Sequence, residues 1–328
     1  MENQKNFVQH VVKNNDILPI EEEFLFEFKQ LIEKQLGAPI EKLEKYSTEV
    51  LYDSFLVVCK GKPLIIKVNL SPDLPNFWKE LGEHEFSFHP KIICHSKESD
   101  VVKFLCFELP NGIFLSHISN YPFNVKPDFI RPFVKSLKSM HATKLLDKDQ
   151  TIDIFNSFCP MEASMIVQTF PVAYLMGTLK ILFKDIYKSN IEDCGLCHFD
   201  LSPQNIIHCD NEFKFINFEY AAHANIYIDM WLGKETLNVS ERAFVKFLDF
   251  YEVNKNKLHA YRLAADMFSF AYFNSKIIAE YMTFGLRDHL NLKYWINKSR
   301  ENYLKVSNKL FIDKKLDNQI IKFYNLWK

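Results

Sequence analysis

A chain of 328 residues, 48% of them apolar and with only 8 glycines, is long enough to bury a sizeable core in one or two domains. Its 40 Lys and Arg balance 41 Asp and Glu, so a formal net charge of −1 offers no field to draw nucleic acid or an anionic membrane. The opening MENQKNFVQHVVKNND lacks the basic cap, apolar run and small-residue cleavage site of an export signal, and no stretch of about 18 apolar residues suggests a membrane span. Seven cysteines, an odd number irregularly spaced, are unlike a secreted disulfide framework, so reduced thiols and a cytoplasmic location are expected. The 31 Phe, 14 Tyr and 4 Trp are spread along the chain, as core filler would be.

From Ile20 to Leu36 the residues Phe24, Phe28, Leu31, Ile32 and Leu36 recur at helical spacing, with Gly37 just past the end, which predicts a helix. Between Val50 and Leu70, VLYDSFLVVC and PLIIKVNL are β-rich runs split by the turn KGK, an antiparallel hairpin. NFWKELGEHEF reads as a short helix, and PKIICHS and VVKFLCFEL as two further strands. Residues 1–110 therefore form a small α+β unit that ends at the break Pro110-Asn111-Gly112. Residues 111–328 read as mainly helical, with helices near 127–146, 161–188, 240–253, 258–284 and 291–310 and a hairpin near residue 210. Two lobes with a cleft between them are expected.

The stretch richest in chemistry runs from Cys197 to Trp231. His198-Phe199-Asp200 is followed, five residues after the Asp, by Asn205, then by Ile206-Ile207 and an Asp210-Asn211 turn into FKFIN. An Asp and an Asn on one loop, feeding a hairpin whose far strand ends in a third polar residue, is how kinase-type phosphotransferases arrange catalysis. There the Asp orients the attacking hydroxyl, while the Asn and an acid after the second strand hold Mg²⁺ on the nucleotide phosphates.

HFDLSPQN followed by FINFEYAAHANIYIDMW resembles the aminoglycoside phosphotransferase and choline kinase superfamily, and the Phe-Glu-Tyr with Asp229 downstream resembles its choline and ethanolamine kinase branch most. The resemblance implies a two-lobe, protein-kinase-like α+β fold, with a small sheet-rich N-lobe and a larger, mainly helical C-lobe. It implies ATP and Mg²⁺ as cofactors and a small-molecule hydroxyl acceptor, choline- or ethanolamine-like first, an aminoglycoside or sugar second. Asp200 takes the catalytic role, with His198 holding the loop rather than moving protons. Lys67 in LIIKV takes the phosphate-binding position, with Glu80 as the first partner for its charge and Glu83 the second. The backbone near Glu108 and Leu109 would meet the adenine, and Asn205 and Asn217 would hold the metal. Glu219, Tyr220, Asp229 and Trp231 are expected near the acceptor, with Tyr227, Tyr272 and Tyr281 as further aromatic candidates. For Asp229 the alternative is bracing the catalytic loop.

Two positions depart from the family pattern. Asn217 stands where the family has a metal-binding Asp, and a neutral amide weakens the hold on Mg²⁺ unless Glu219 or another acid substitutes. A catalytically weak pseudokinase or nucleotide-binding scaffold is the alternative this opens. In KYSTEVLYDSF, Ser47 and Thr48 replace the glycine of the phosphate-covering turn, so close backbone approach is harder although their hydroxyls and amides can meet phosphate. Cys194-Gly-Leu-Cys197-His198 also fits a haem-attachment pattern, but no export signal accompanies it and its His opens the catalytic motif. Zinc at Cys194, Cys197, His208 and Cys209 is disfavoured because two of these are neighbours on a strand and point to opposite faces.

Overall fold

The computed structural model describes residues 22–48, 52–69, 78, 81, 83–96, 103–117, 127–144, 148–159, 171–284, 289–310, 312 and 314–325. They form two compact units, one comprising residues up to Gly112 together with Lys214–Glu219, the other Ile113–Phe213 together with Tyr220–Lys328.

In the first unit, helix α1 (Glu22–Leu36) precedes five antiparallel strands: β1 (Ile40–Thr48), β2 (Tyr52–Cys59), β3 (Lys62–Asn69), β4 (Ile92–His95) and β5 (Lys103–Glu108). Their order in the sheet is β1-β2-β3-β5-β4. The hairpin β2–β3 turns through Lys60 and Gly61, both at positive φ (51° and 70°), the backbone a two-residue turn needs to match strand twist. Strand alternation sorts β3: Leu64, Ile66 and Val68 join Phe28, Ile32, Phe55, Val57, Phe104 and Cys106 in one core, which leaves Lys67 on the opposite face with Ile65. Strand β1 was not expected from sequence. Register shifts between Ile40 and Lys42 and between Lys45 and Ser47 break its period of two, so IEKLEKYST shows no clean alternation.

The expected division placed residues 214–219 with the C-terminal part, whereas they pack in the first unit. The Phe215 N–H donates to the Phe88 carbonyl at 2.7 Å, and the Phe218 ring lies 5.4 Å from His89 and 6.0 Å from Phe88.

The second unit has helices α2 (Pro127–His141), α3 (Thr151–Ser157), α4 (Pro171–Ile186), α5 (Ile226–Thr236), α6 (Glu241–Tyr251), α7 (Lys255–Ala260), α8 (Arg262–Phe284), α9 (His289–Ser307) and α10 (Lys314–Asn325). Short strands thread between them. β6 (Ile113–Phe114) pairs β8 (Ile206–Cys209), β9 (Glu212–Phe215) follows and runs on into the first unit, and β7 (Cys194–Cys197) pairs β10 (Ala222–Asn225) antiparallel. The β8–β9 turn falls on Asp210 and Asn211, at φ 47° and 61°. Phe155, Phe183, Phe199 and Phe268 are fully buried, with Phe155 and Phe183 stacked at 3.9 Å. Asn225 ends β10 and starts α5, its side chain accepting from the Tyr227 and Ile228 N–H groups, so Asp229 lands in the first turn of α5. Among the described residues no helix is long and apolar enough to cross a membrane, and all seven cysteines are unbridged.

Candidate active site

In the first unit Lys67 is a buried cation. Its ammonium pairs with the Glu219 carboxylate, and the two side chains keep only 3% and 6% of their surface. Of the partners expected from sequence, Glu80 lies outside the described residues and Glu83 is exposed. Glu219, expected at the acceptor, is thereby committed to Lys67. Two residues earlier Asn217 sits at φ 66°, a left-handed backbone that Asn tolerates better than most residues.

The segment expected to meet adenine has its amides in use. The Glu108 N–H donates to the Lys91 carbonyl at 2.9 Å and the Leu109 N–H to the Pro63 carbonyl at 3.0 Å. Neither amide is left for a base, and since Pro110 has no N–H, the next backbone donor along the chain is Asn111. Ser47 and Thr48 end β1, facing Ser54 and Asp53 in register. Their side chains and the turn at 49–51 lie outside the described residues.

The second unit carries the loop from His198 to Asn205. Phe199 adopts φ 56°, a conformation that costs a bulky residue about 1–3 kcal/mol. Three observations account for it. The Phe199 ring is fully buried and stacks on Phe268 at 4.8 Å. Its N–H donates to Asp229 Oδ1 at 2.8 Å, and the preceding His198 N–H donates to Asp229 Oδ2 at 3.1 Å. His141 Nε2 closes the set by donating to the same Oδ2 at 3.0 Å, with Nδ1 accepting from the Tyr251 hydroxyl at 2.8 Å. Asp229 is fully buried, and both its oxygens accept hydrogen bonds, from the loop and from His141. His198, also fully buried, accepts the Asp200 N–H on Nδ1 at 3.2 Å and so holds the loop from inside.

Asp200 presents its carboxylate to α8. Oδ1 accepts from the Tyr272 hydroxyl at 2.5 Å and Oδ2 from the Lys276 ammonium at 2.7 Å. Burial pushes the Asp200 carboxyl up, but the Lys276 charge and the hydrogen bonds from Lys276 and Tyr272 outweigh it and leave the group below the usual carboxylate range. Tyr272 is driven the other way by burial and by the Asp200 charge, and stays a protonated donor. Burial works against the charge on Lys276, yet the Asp200 carboxylate wins and keeps it an ammonium. Asn205 Nδ2 donates to the Asp200 carbonyl at 2.8 Å, which makes its amide oxygen the end suited to a cation. The Ser202 hydroxyl is buried without a hydrogen-bond partner.

Sequence reasoning did not find the Asp200 partner Lys276, and Tyr272 entered only as an aromatic. The legible signal was one lysine in the apolar stretch of α8, four residues and so one turn after a tyrosine. Trp231, expected near the acceptor, keeps 6% of its surface, has the Arg262 guanidinium 3.7 Å from its ring centre, and packs on Phe244 at 4.8 Å. The Tyr220 ring lies 4.9 Å from Phe158 and 5.3 Å from the Lys276 ammonium. The Tyr281 side chain lies outside the described residues. The cysteine pattern has a structural explanation: Cys197 Sγ donates to the Ala224 carbonyl at 3.2 Å, and burial pushes the Cys194 thiol up to about 12. Neither is a thiolate poised for metal or haem.

No protein-family profile matches the chain, and no curated protein does. Solved structures match it over most of its length. Plasmodium vivax ethanolamine kinase aligns with a TM-score of 0.63 at 14% identity, over 92% of this chain and 94% of that one. A thermostable mutant of aminoglycoside phosphotransferase APH(4)-Ia, in ternary complex with AMP-PNP and hygromycin B, gives 0.58 at 13%, over 84% and 97%. Choline kinase from Cryptosporidium parvum gives 0.55 at 12%, over 81% and 90%. At these identities the likeness is one of fold: the chain has the α+β, kinase-like fold of these phosphotransferases, with a sheet-rich N-terminal part and a helical C-terminal part.

Proposed function

We propose that this chain, built on that kinase-like fold, is a cytoplasmic small-molecule kinase that transfers the ATP γ-phosphoryl group to an acceptor hydroxyl. The observation that carries the reading is the loop from His198 to Asn205, where Asp229 holds the His198 and Phe199 N–H groups, His198 accepts the Asp200 N–H and Asn205 donates to the Asp200 carbonyl, a fixed loop that supports positioning for phosphoryl transfer. A phosphoryl group in a loose transition state needs positioning more than a strong base. An Asp200 held below the usual carboxylate range suits that task, since it accepts a hydrogen bond from the hydroxyl and aims it. Lys67, within an apolar strand, would steady the α- and β-phosphates, exchanging the Glu219 carboxylate for phosphate oxygens.

The Asn205 amide oxygen fits an Mg²⁺ contact, and Asn217 would supply a second oxygen without charge; Glu219, the acid nearest in sequence, is taken up by Lys67. When bound, Mg²⁺ neutralises the nucleotide phosphates. The missing carboxylate makes slow turnover the expected behaviour, and a nucleotide-binding pseudokinase is the second reading that Asn217 favours.

Calorimetry of ATP binding with and without Mg²⁺, followed by a phosphate-transfer screen over alcohols in the same samples, tests the proposal. Mg²⁺-dependent binding lost in Lys67→Ala, with transfer to one acceptor, is the expected result. Binding without transfer to any alcohol would favour the pseudokinase. No nucleotide binding at all would sink both.

A further inference from the structure

Strands β4 and β5 of the first unit set two cysteines opposite each other. In their antiparallel register Cys94 faces Cys106, and both side chains lie on the core side of the sheet, Cys106 fully buried and Cys94 half-buried against the same cluster. β4 is an edge strand in the order β1-β2-β3-β5-β4, so Cys94 is the thiol of the pair that a small solute can reach. Residues directly opposite on an antiparallel pair have Cα atoms about 4.5–5.5 Å apart, inside the span of roughly 4.4–6.8 Å that a disulfide takes. Cys59 shares this core, but β3 lies between its strand and β5, a separation of about 10 Å that no disulfide bridges. The two thiols also differ in character. The hydrogen bond from Cys106 pulls the Cys94 thiol below the usual thiol range against the effect of burial, while the same contact and burial push Cys106 up. Burial pushes the Cys159 and Cys194 thiols of the second unit up to about 12.

We infer that Cys94 and Cys106 are a redox-active dithiol, an oxidation site at which hydrogen peroxide closes a disulfide across β4 and β5. Cys94 is the nucleophile of the pair and Cys106 the resolving thiol. The Cys94 thiolate attacks one peroxide oxygen, the O–O bond breaks, and a sulfenic acid forms as hydroxide leaves. The Cys106 sulfur then attacks the Cys94 sulfur: the S–S bond forms, the S–OH bond breaks, and the hydroxyl leaves with the Cys106 proton as water. In sum, two thiols and one hydrogen peroxide give one disulfide and two waters. Opposed Cβ atoms on paired strands lie about 4.5–5.5 Å apart, whereas a disulfide holds them at about 3.5–4.5 Å, so closure draws the edge strand inward and leaves a bond that is readily reduced. Such a bond suits a reducing compartment, where disulfides are transient and redox-sensing rather than structural.

The test is hydrogen peroxide treatment of the reduced full chain, followed by trypsin digestion and mass spectrometry without reductant. Trypsin cuts after Lys91, Lys97 and Lys103, so Cys94 and Cys106 fall in separate peptides that a disulfide would hold together. The linked peptides should form at least about tenfold faster than any other cysteine pair, and dithiothreitol should release them. In Cys106→Ala the link should be lost, and dimedone should trap Cys94 as the sulfenic acid. If peroxide oxidises methionines or other cysteines while Cys94 and Cys106 stay unlinked, the inference is overturned. A link that forms only after urea has unfolded the chain, or one that joins two chains into a dimer on a non-reducing gel, overturns it as well. If Cys106→Ala fails to fold, the wild-type peptide map decides on the same criteria. No nucleotide enters the test, so its outcome is independent of the kinase reading.

Discussion

Asp229→Asn isolates the brace under the catalytic loop. The carboxylate accepts three hydrogen bonds at 2.8–3.1 Å, from the Phe199 and His198 N–H groups and from His141 Nε2, in a fully buried position. An amide has one oxygen, so if it keeps Phe199, the NH₂ group faces two donors. His141 can adapt by moving its proton to Nδ1, but the His198 N–H cannot. A buried, unpaired N–H costs about 1–3 kcal/mol, and turning the remaining charge-assisted bond into a neutral one removes about 1 kcal/mol more. The loss of stability should therefore be about 2–4 kcal/mol, read in urea unfolding as a lower midpoint at unchanged m-value. Phe199, held at φ 56° by this carboxylate, should relax, and its amide should exchange with solvent faster. A stability change under about 0.5 kcal/mol, or unaltered Phe199 exchange, would refute the brace.

Gly195→Ala should destabilise by about 1–3 kcal/mol or more, because the new Cβ would run into the His141 carbonyl oxygen and lie 2.8 Å from its carbonyl carbon, both backbone atoms; a thermal melt within error of wild type would contradict this. Asn217→Asp should raise both Mg²⁺-dependent ATP affinity and turnover, since Asp also tolerates the φ of 66° there; no gain in a folded protein that binds ATP would favour the scaffold reading. Burial pushes the Asp149 carboxyl up, but the Ser189, Thr151 and Tyr187 hydroxyls and the Thr151 N–H outweigh it, so its folded pKa lies below the unfolded value. Its contribution is then complete above an unfolded pKa of about 3.9 and is lost as the pH falls through the lower folded pKa. Tyr187→Phe should therefore move acid unfolding to higher pH, and an unshifted acid midpoint would show that Asp149 gains nothing from that hydroxyl.

The HFDLSPQN loop was legible because its chemistry lies within eight consecutive residues, and the kinase-like fold followed from it. Helix α1, the β2–β3 hairpin and the main C-terminal helices were legible from periodicity and turn residues. Strand β1 was not, since its bulges erase the alternation, nor were α5 and the short pair β7 and β10, which are too buried on all sides to carry a periodic face.

The sequence by itself determined which residues are candidates to carry chemistry, because the types Asp, Asn, Lys and His at fixed local spacing already limit the reactions available. Only the tertiary structure decided who answers their charges. Lys67 meets Glu219 across 152 residues, and Asp200 meets Lys276 across 76, separations at which no spacing rule operates. A buried charge must find an opposite charge or a donor wherever the packed chain supplies one, and that is fixed by strand face, helix phase and loop closure together rather than by neighbours in sequence.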